Sequence, residues 1–342
     1  MDNIIVSIIM PVYNEEKYIE KCMESLVVQD YPFENMELII IDGMSTDRTR
    51  EILSGYAEKY PNWISIMDNP KKLAPYALNI GIEATTGKYI IRLDAHSVYA
   101  PDYVTQCVYY LDNTDADNVG GVMETKSISF VGNIIAKMMS SKFGVGNSQC
   151  RINGKDGYVD TVFFGAFRRS VFEKLGLFDE RLIRSEDNEI NYRIRKNGGK
   201  IYMNRDIKLT YYCRDSIKGI MQMAFKNGLW TIITMKVCPG TMGLRHFIPF
   251  AFVMSVIGLS ALSFLNTAFL WMLAAELILY FALGLYSALE QTKKLKELLL
   301  LLCLYPMFHI SYGIGSMCGI TKLFSKEFKK DYVPKKLKTL IK

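Results

Sequence analysis

Cysteine is sparse in this 342-residue sequence, and so are the patterns that would give it a job. The seven cysteines, Cys22, Cys107, Cys150, Cys213, Cys238, Cys303 and Cys318, are odd in number and form no CxxC pair. That excludes a disulfide framework and a zinc knuckle, and it fits a reducing compartment. Glycine and proline are ordinary at 24 and 10, which excludes collagen-like and low-complexity chains. Two phosphate-loop signatures are missing. Five residues separate Gly81 from Gly87-Lys88, and Tyr89 stands where a Walker A loop needs Ser or Thr. No GxGxxG follows the first strand-like run, so a dinucleotide fold lacks its fingerprint. No secretory leader is expected, because Asp2 and Asn3 lead straight into an apolar run.

Charge of one sign is also missing from most of the chain. The formal net charge is +6, but residues 321–342 hold eight Lys against Glu327 and Asp331. The rest has 33 basic and 33 acidic residues. A nucleic-acid partner is therefore not expected. The chain is 50% hydrophobic, which excludes a disordered chain, and a mean hydropathy of +0.09 points to a part that lives in lipid.

Residues 1–240 alternate between strand-like and helix-like segments. Strands are expected at 4–10, 38–41, 63–67 and 89–93, and helices at 15–28 and after Ser45/Thr46, which would cap a helix with Asp47 in its first turn. This alternation predicts an α/β fold with a parallel, Rossmann-like sheet and helices on both faces. Further on, 119–123 and 161–164 read as strands and 128–142 as a helix. Residues 144–160, with four glycines, read as a mobile loop, and 186–196 as a helix capped by Ser185.

From 247 to 289 there is one charge, Glu276, and Asn266-Thr267 divides the stretch into two runs, 247–265 and 268–289. Each is long enough to cross a bilayer. A third uncharged run, 298–320, contains Pro306, His309, Gly313, Gly315 and Gly319. The positive-inside rule places Lys293, Lys294, Lys296 and the Lys-rich tail on the cytoplasmic face. Three full crossings would put the tail outside, so an in-and-out third run is the expectation. The domains expected are a cytoplasmic catalytic domain at 1–214, an amphipathic interfacial helix and linker at 215–246, a membrane region at 247–320, and the tail at 321–342.

Carboxylates stand at or near strand ends, where open α/β sheets bind ligands. They are Glu15 in Pro11-Val12-Tyr13-Asn14-Glu15, Asp42, and Asp94 in Asp94-Ala95-His96. Alone, each reads equally well as a turn or cap residue; three in successive βα units point to nucleotide or metal binding through oxygen ligands. Glu186-Asp187 opens a helix, and Asp187 shares a face with Ile190 and Ile194. A partly desolvated carboxylate there suits a general base, although helix-dipole stabilisation accounts for the position too.

Taken in order, these segments resemble inverting glycosyltransferase family 2. They are 6–16 (VSIIMPVYNEE), 41–49 (IDGMSTDRT), Ala77-Leu78-Asn79, Gly87-Lys88-Tyr89-Ile90 with Asp94, 165–170 (GAFRRS), Gly176-Leu177-Phe178-Asp179-Glu180 and Glu186-Asp187. Arg214-Asp215-Ser216, Gln222 and the hydrophobic region are similar to the membrane-attached bacterial exopolysaccharide subset, of the succinoglycan glucosyltransferase type. The resemblance implies a GT-A fold, with a Rossmann-like mixed sheet, helices on both faces and C-terminal transmembrane helices, and a nucleotide-diphosphate sugar donor, expected to be a UDP-hexose. It also implies a divalent metal (Mn²⁺ or Mg²⁺), a glycan or lipid-linked acceptor, and a cytoplasmic-membrane location with the catalytic domain inside. It assigns Pro11, Tyr13, Glu15, Asp42 and Asp94 to the nucleotide sugar, Asp94 to the metal, Asp187 to general-base catalysis and Glu186 to the acceptor. One departure stands out. The second acid of the DxD motif is His96, an imidazole that suits Mn²⁺ better than Mg²⁺. Arg184, Arg214 and Lys226 are candidates to stabilise the leaving diphosphate. The alternatives are a catalytically silent membrane component of a polysaccharide assembly and a nucleotidyltransferase; the latter would need a basic Gly-rich loop where Asn14-Glu15-Glu16 stands.

Overall fold

The computed structural model describes residues 4–152, 154–324 and 334–337. Packing sorts them into two units. The first draws on 1–124, 153–211 and 331–342, and the second on 125–152 and 212–330. The interval 1–214 thus divides, with 125–152 packing in the second unit.

The first unit begins with β1 (Val6–Val12), α1 (Ile19–Leu26), β2 (Met36–Asp42), α2 (Thr49–Lys59), β3 (Ile64–Asp68), α3 (Ala74–Ala84) and β4 (Tyr89–Arg92). β1 pairs in parallel with β2 and β4, and β2 with β3. The apolar β-branched runs are buried on both faces, as a covered parallel sheet requires. Val6, Ile8 and Met10 share a core with Ile19, Cys22 and Leu26 of α1. On the other face Gly81 of α3 comes so close to Ile9 and Ile41 that a Cβ there would lie 2.9 and 2.8 Å from their side chains.

Next in the chain come β5 (Ser97–Tyr99), α4 (Tyr103–Asn113) and β6 (Asn118–Lys126), then α5 (Phe130–Met139) and α6 (Lys142–Val145) of the second unit. They are followed by β7 (Gly157–Tyr158), β8 (Ala166–Arg168), α7 (Arg169–Leu175), α8 (Glu186–Lys196) and β9 (Ile201–Tyr212). β8 pairs antiparallel with β4 and β6, and β5 and β7 pair antiparallel with β9. The sheet order is β3-β2-β1-β4-β8-β6-β9-β5, so the sheet is mixed rather than wholly parallel.

Several expected boundaries move. The helix expected at 15–28 starts at Ile19, because the Glu15 and Glu16 amides donate to Thr49 Oγ1 and Asp47 Oδ2. Ser45 and Thr46 do not cap α2. Their hydroxyls are taken by Asp42 and Asn14, and the helix starts at Thr49. Residues 161–164 form no strand. Phe164 turns at φ 52°, and β8 begins two residues later. Residues 144–160 include the end of α6 and all of β7. Ser185 does not cap α8; it sits at φ 68° without a capping hydrogen bond.

In the second unit, α9 (Ile217–Val237) is capped by Ser216, whose hydroxyl accepts from the Gly219 amide. α10 (Ile248–Leu262), α11 (Thr267–Gln291) and α12 (Leu295–Lys322) follow. The helical stretches 244–262, 267–291 and 295–322 are each long and apolar enough to cross a membrane. The expected in-and-out third run is not what forms. α12 is one uninterrupted helix of 28 residues with Pro306 inside it. Its glycines are contact points rather than breaks. A Cβ on Gly315 would lie 2.0 Å from Phe225 O of α9, and one on Gly228 of α9 would lie 1.9 Å from Tyr312 O. Such close backbone approach is how helices associate without a solvent-driven core. Ser311 Oγ donates to Met221 O at 2.8 Å, and Thr231 Oγ1 bonds the Tyr312 hydroxyl at 2.7 Å.

Most of the Lys-rich tail lies outside the described residues. Its segment 334–337 belongs to the first unit, where the Leu177 amide donates to Lys335 O at 2.8 Å and Leu337 is buried.

Candidate active site

The four acidic stations meet at the carboxyl end of β1, β2 and β4. The loops after β1 and β2 are laced together. The Asn14 amide donates to Ser45 Oγ at 3.0 Å, the Thr46 amide to Asn14 Oδ1 at 2.8 Å, and the Gly43 amide to Val12 O at 2.8 Å. Asn14 and Met44 hold φ values of 54° and 59° in these turns. Asn tolerates that region, but for Met it is strain, held by the surrounding bonds.

Asp42 is buried and its carboxylate is already engaged. Oδ1 accepts from the Ser45 amide (3.1 Å) and hydroxyl (2.6 Å), and Oδ2 from Arg50 at 3.1 Å. Arg50 also reaches Asp68 at 2.7 Å. Tyr13 is exposed beside this loop, with the Lys72 ammonium 5.8 Å from its ring centre. Pro11 lies within β1, paired with Ile41.

The loop after β4 carries Asp94 and His96. The Tyr99 hydroxyl fixes it, accepting from the Asp94 amide at 2.6 Å. His96 Nδ1 lies 3.1 Å from Glu15 Oε1, and Nε2 lies 3.5 Å from Asp94 Oδ2. Burial opposes charge on this imidazole, but the Asp94 and Glu15 carboxylates prevail and push it up to about 10. Among the described residues, no group of three or more His, Cys, Asp or Glu side chains is arranged to hold a metal alone. The donor set fits a shared site once a cation displaces the Nε2 proton, a cation taking over the role of balancing the two carboxylates. Glu15 on Nδ1 leaves Nε2 facing Asp94, as when a carboxylate orients a metal-binding histidine. The remaining ligands would be oxygens from a diphosphate and water.

The last station joins the third through a residue the sequence reading missed. Arg92, at the end of β4, is buried and ion-paired with both Glu186 (Nη2 to Oε1, 2.9 Å) and Asp187 (Nη1 to Oδ1). A charged residue inside the apolar strand Tyr89–Arg92 was the available signal. Burial raises the Asp187 carboxyl above the usual carboxylate range, Glu186 adds to the rise, and Arg92 opposes it. The Arg92 guanidinium is held more firmly charged by the same carboxylates, against its burial. Asp187 Oδ2 makes no hydrogen bond among the described residues.

Aromatic rings connect the two charge clusters. The Phe164 ring lies 5.6 Å from the Arg92 guanidinium, Tyr211 stacks on Phe164 at 6.3 Å, and His96 meets Tyr211 edge-on at 5.1 Å. α8 is locked from behind. Arg193 donates to the carbonyls of Leu175, Gly176 and Leu177 at 2.8–2.9 Å, and Asn191 to Val162 O at 2.9 Å. Asn79 binds Phe178 through both its amide groups, which explains Ala77-Leu78-Asn79 and Gly176-Leu177-Phe178 as scaffold. Arg184 precedes α8 in the first unit, whereas Arg214 and Lys226 belong to the second.

Comparison with known proteins gives the family and the fold. Residues 7–176 match the family description Glycosyl transferase family 2. The dolichyl N-acetyl-alpha-D-glucosaminyl phosphate 3-beta-D-2,3-diacetamido-2,3-dideoxy-beta-D-glucuronosyltransferase of Methanococcus voltae is 30% identical over 263 residues, covering 74% of this chain and 80% of that protein. Succinoglycan biosynthesis protein ExoA of Rhizobium meliloti is 32% identical over 246 residues, covering 71% and 74%. In fold, the chain is similar to the mannosyltransferase PcManGT of Pyrobaculum calidifontis, solved with GDP-Man and Mn²⁺. The TM-score is 0.57 at 19% identity, covering 95% of this chain and 89% of that one. The architecture is thus of the GT-A kind, and the chain belongs to glycosyltransferase family 2.

Proposed function

We propose that the protein is an inverting glycosyltransferase. It moves a hexose from a UDP-sugar to a hydroxyl of a lipid-linked glycan in exopolysaccharide or capsule synthesis. The observation that carries this reading is Asp187, a buried carboxylate with a raised proton affinity and one oxygen without a hydrogen bond among the described residues. Asp187 takes the proton of the acceptor hydroxyl, and Glu186 beside it orients the acceptor. The acceptor oxygen forms a bond to the anomeric carbon from the face opposite the diphosphate. The bond from that carbon to the diphosphate oxygen breaks, and the nucleoside diphosphate leaves with the electron pair. One displacement inverts the centre.

Pro11, Tyr13, Glu15 and Asp42 form the nucleotide side of the site, and Asp94 the ribose and diphosphate side. A divalent cation, Mn²⁺ in preference to Mg²⁺, would be held by Asp94 and His96 and would supply charge stabilisation to the leaving diphosphate. Arg184 would add positive charge. Support for the lipid-linked acceptor comes from the activity for which the Methanococcus voltae relative is named and from the three apolar helices.

The catalytic unit lies on the cytoplasmic face of the cell membrane. Lys293, Lys294, Lys296 and the Lys-rich tail belong on that face by the positive-inside rule. An even number of crossings follows. α10 and α11 cross as a hairpin, and α12, packed along α9, lies on that face instead of crossing. The reading is tested by the product. Proton NMR of the newly formed linkage from an α-linked UDP-hexose should show a β-anomer; an α-linkage would exclude the single displacement.

A further inference from the structure

We infer that Arg92 is a positioning residue for the transfer, setting the general base by gripping one oxygen of Asp187 and leaving the other for the acceptor. The inference rests on the reading of Asp187 as the base and deepens it. Arg92 arrives from the centre of the sheet, where β4 lies between β1 and β8, so its backbone is fixed by strand pairing on both sides. Its amide donates to Gly165 O at 3.1 Å. Its side chain is buried and spends one terminal nitrogen on Glu186 and the other on Asp187, while Nε is buried without a partner among the described residues. Phe164 lies against its guanidinium. Two nitrogens of one rigid fork therefore address two adjacent carboxylates.

That arrangement has a chemical consequence. α8 begins after Ser185 in a left-handed conformation; the Glu189 amide donates to Ser185 O at 3.0 Å, but no side chain caps the amides of the first turn. Arg92 supplies the missing restraint from the sheet. Its charge also offsets one of two neighbouring buried anions, which would otherwise share a proton. A lysine would keep the charge but reach only one carboxylate well, because an ammonium is a point donor and not a fork.

The test uses the full-length protein in detergent with Mn²⁺. Turnover is read as nucleoside diphosphate released from a panel of UDP- and GDP-hexoses. Hydrogen exchange is followed over residues 184–189. Arg92→Gln should lower kcat by 10²–10³-fold, leave the donor KM within about threefold, and speed exchange at the start of α8. Arg92→Lys should recover part of kcat. Combined with Asp187→Asn, Arg92→Gln should add less than twofold, since both act through one group. Arg92→Gln turnover within threefold of wild type, with unchanged exchange, would overturn the inference. So would an additive double variant. If Arg92→Gln does not fold, Arg92→Lys decides alone: full wild-type kcat at an unchanged Tm refutes the role. Retained turnover in Asp187→Asn would instead refute the base, whatever Arg92 does.

Discussion

His96 Nδ1 lies 3.1 Å from Glu15 Oε1 while Nε2 of the same ring faces Asp94 Oδ2 at 3.5 Å. The ring bridges the loop after β1 and the loop after β4, and it stands where the family's second acid would be. His96→Ala should raise the Mn²⁺ concentration needed for half-maximal activity more than tenfold. Glu15→Gln should have a smaller effect in the same direction, since it only loosens the ring. His96→Asp should shift the preference toward Mg²⁺. Metal titrations of turnover check all three, and coincident curves for wild type and His96→Ala would remove His96 as a ligand.

The raised Asp187 carboxyl fixes a sign for the pH dependence. A protonated carboxyl cannot accept the acceptor's proton, so kcat should fall on acidification, along a limb lying above the ordinary carboxylate range. Stability runs the other way. The folded protein holds this proton more tightly than the unfolded chain. The contribution is therefore full at acid pH and is lost as pH rises through the folded value. Asp187→Asn has no such titration, so its Tm should gain on wild type between mildly acidic and alkaline buffer. A constant Tm difference across that range would show that the carboxyl is not perturbed.

The seam between α9 and α12 should be intolerant of side chains. Gly315→Val places atoms where a Cβ already comes within 2.0 Å of Phe225 O. A loss of about 1–3 kcal/mol or more is expected from such overpacking, read as a lower Tm in detergent. Gly258→Ala on α10 meets nothing within 4 Å and should be neutral. Equal tolerance at the two positions would count against the seam.

Topology is open to direct measurement. A reporter fused after Lys342 should signal from the cytoplasm, and a tag inserted at Asn266, in the turn between α10 and α11, should be reached from outside. An extracytoplasmic Lys342 would require a third crossing and refute the placement of α12 on the cytoplasmic face.

Much of this was legible in the sequence because local chemistry dictated it. Apolar β-branched runs ending in Asp42 and near Asp94 had to be buried strands with carboxylates at their ends. The start of α8 was also legible, because Glu186-Asp187 precedes an apolar spacing. What escaped notice depends on contacts distant in sequence. Arg92 pairs with residues 94 and 95 positions further on. The hydroxyls of Ser45 and Thr46, read as helix caps, are spent on Asp42 and Asn14. Gly315 and Gly319 of α12 are close contacts with α9, and Gly313 with Val253 of α10, which only the packed helices reveal. The antiparallel strand β8 gives no periodic signal of its own, because it has three residues; the mixed character of the sheet was legible only through the family resemblance.

The central claim is that Asp187 takes the acceptor's proton, and one comparison addresses it most directly. Wild type and Asp187→Asn are measured side by side for UDP binding with Mn²⁺ by calorimetry and for sugar transfer. The account predicts UDP affinity within about threefold and transfer reduced by at least 10³-fold. Transfer within tenfold of wild type, at matched UDP affinity, would contradict it.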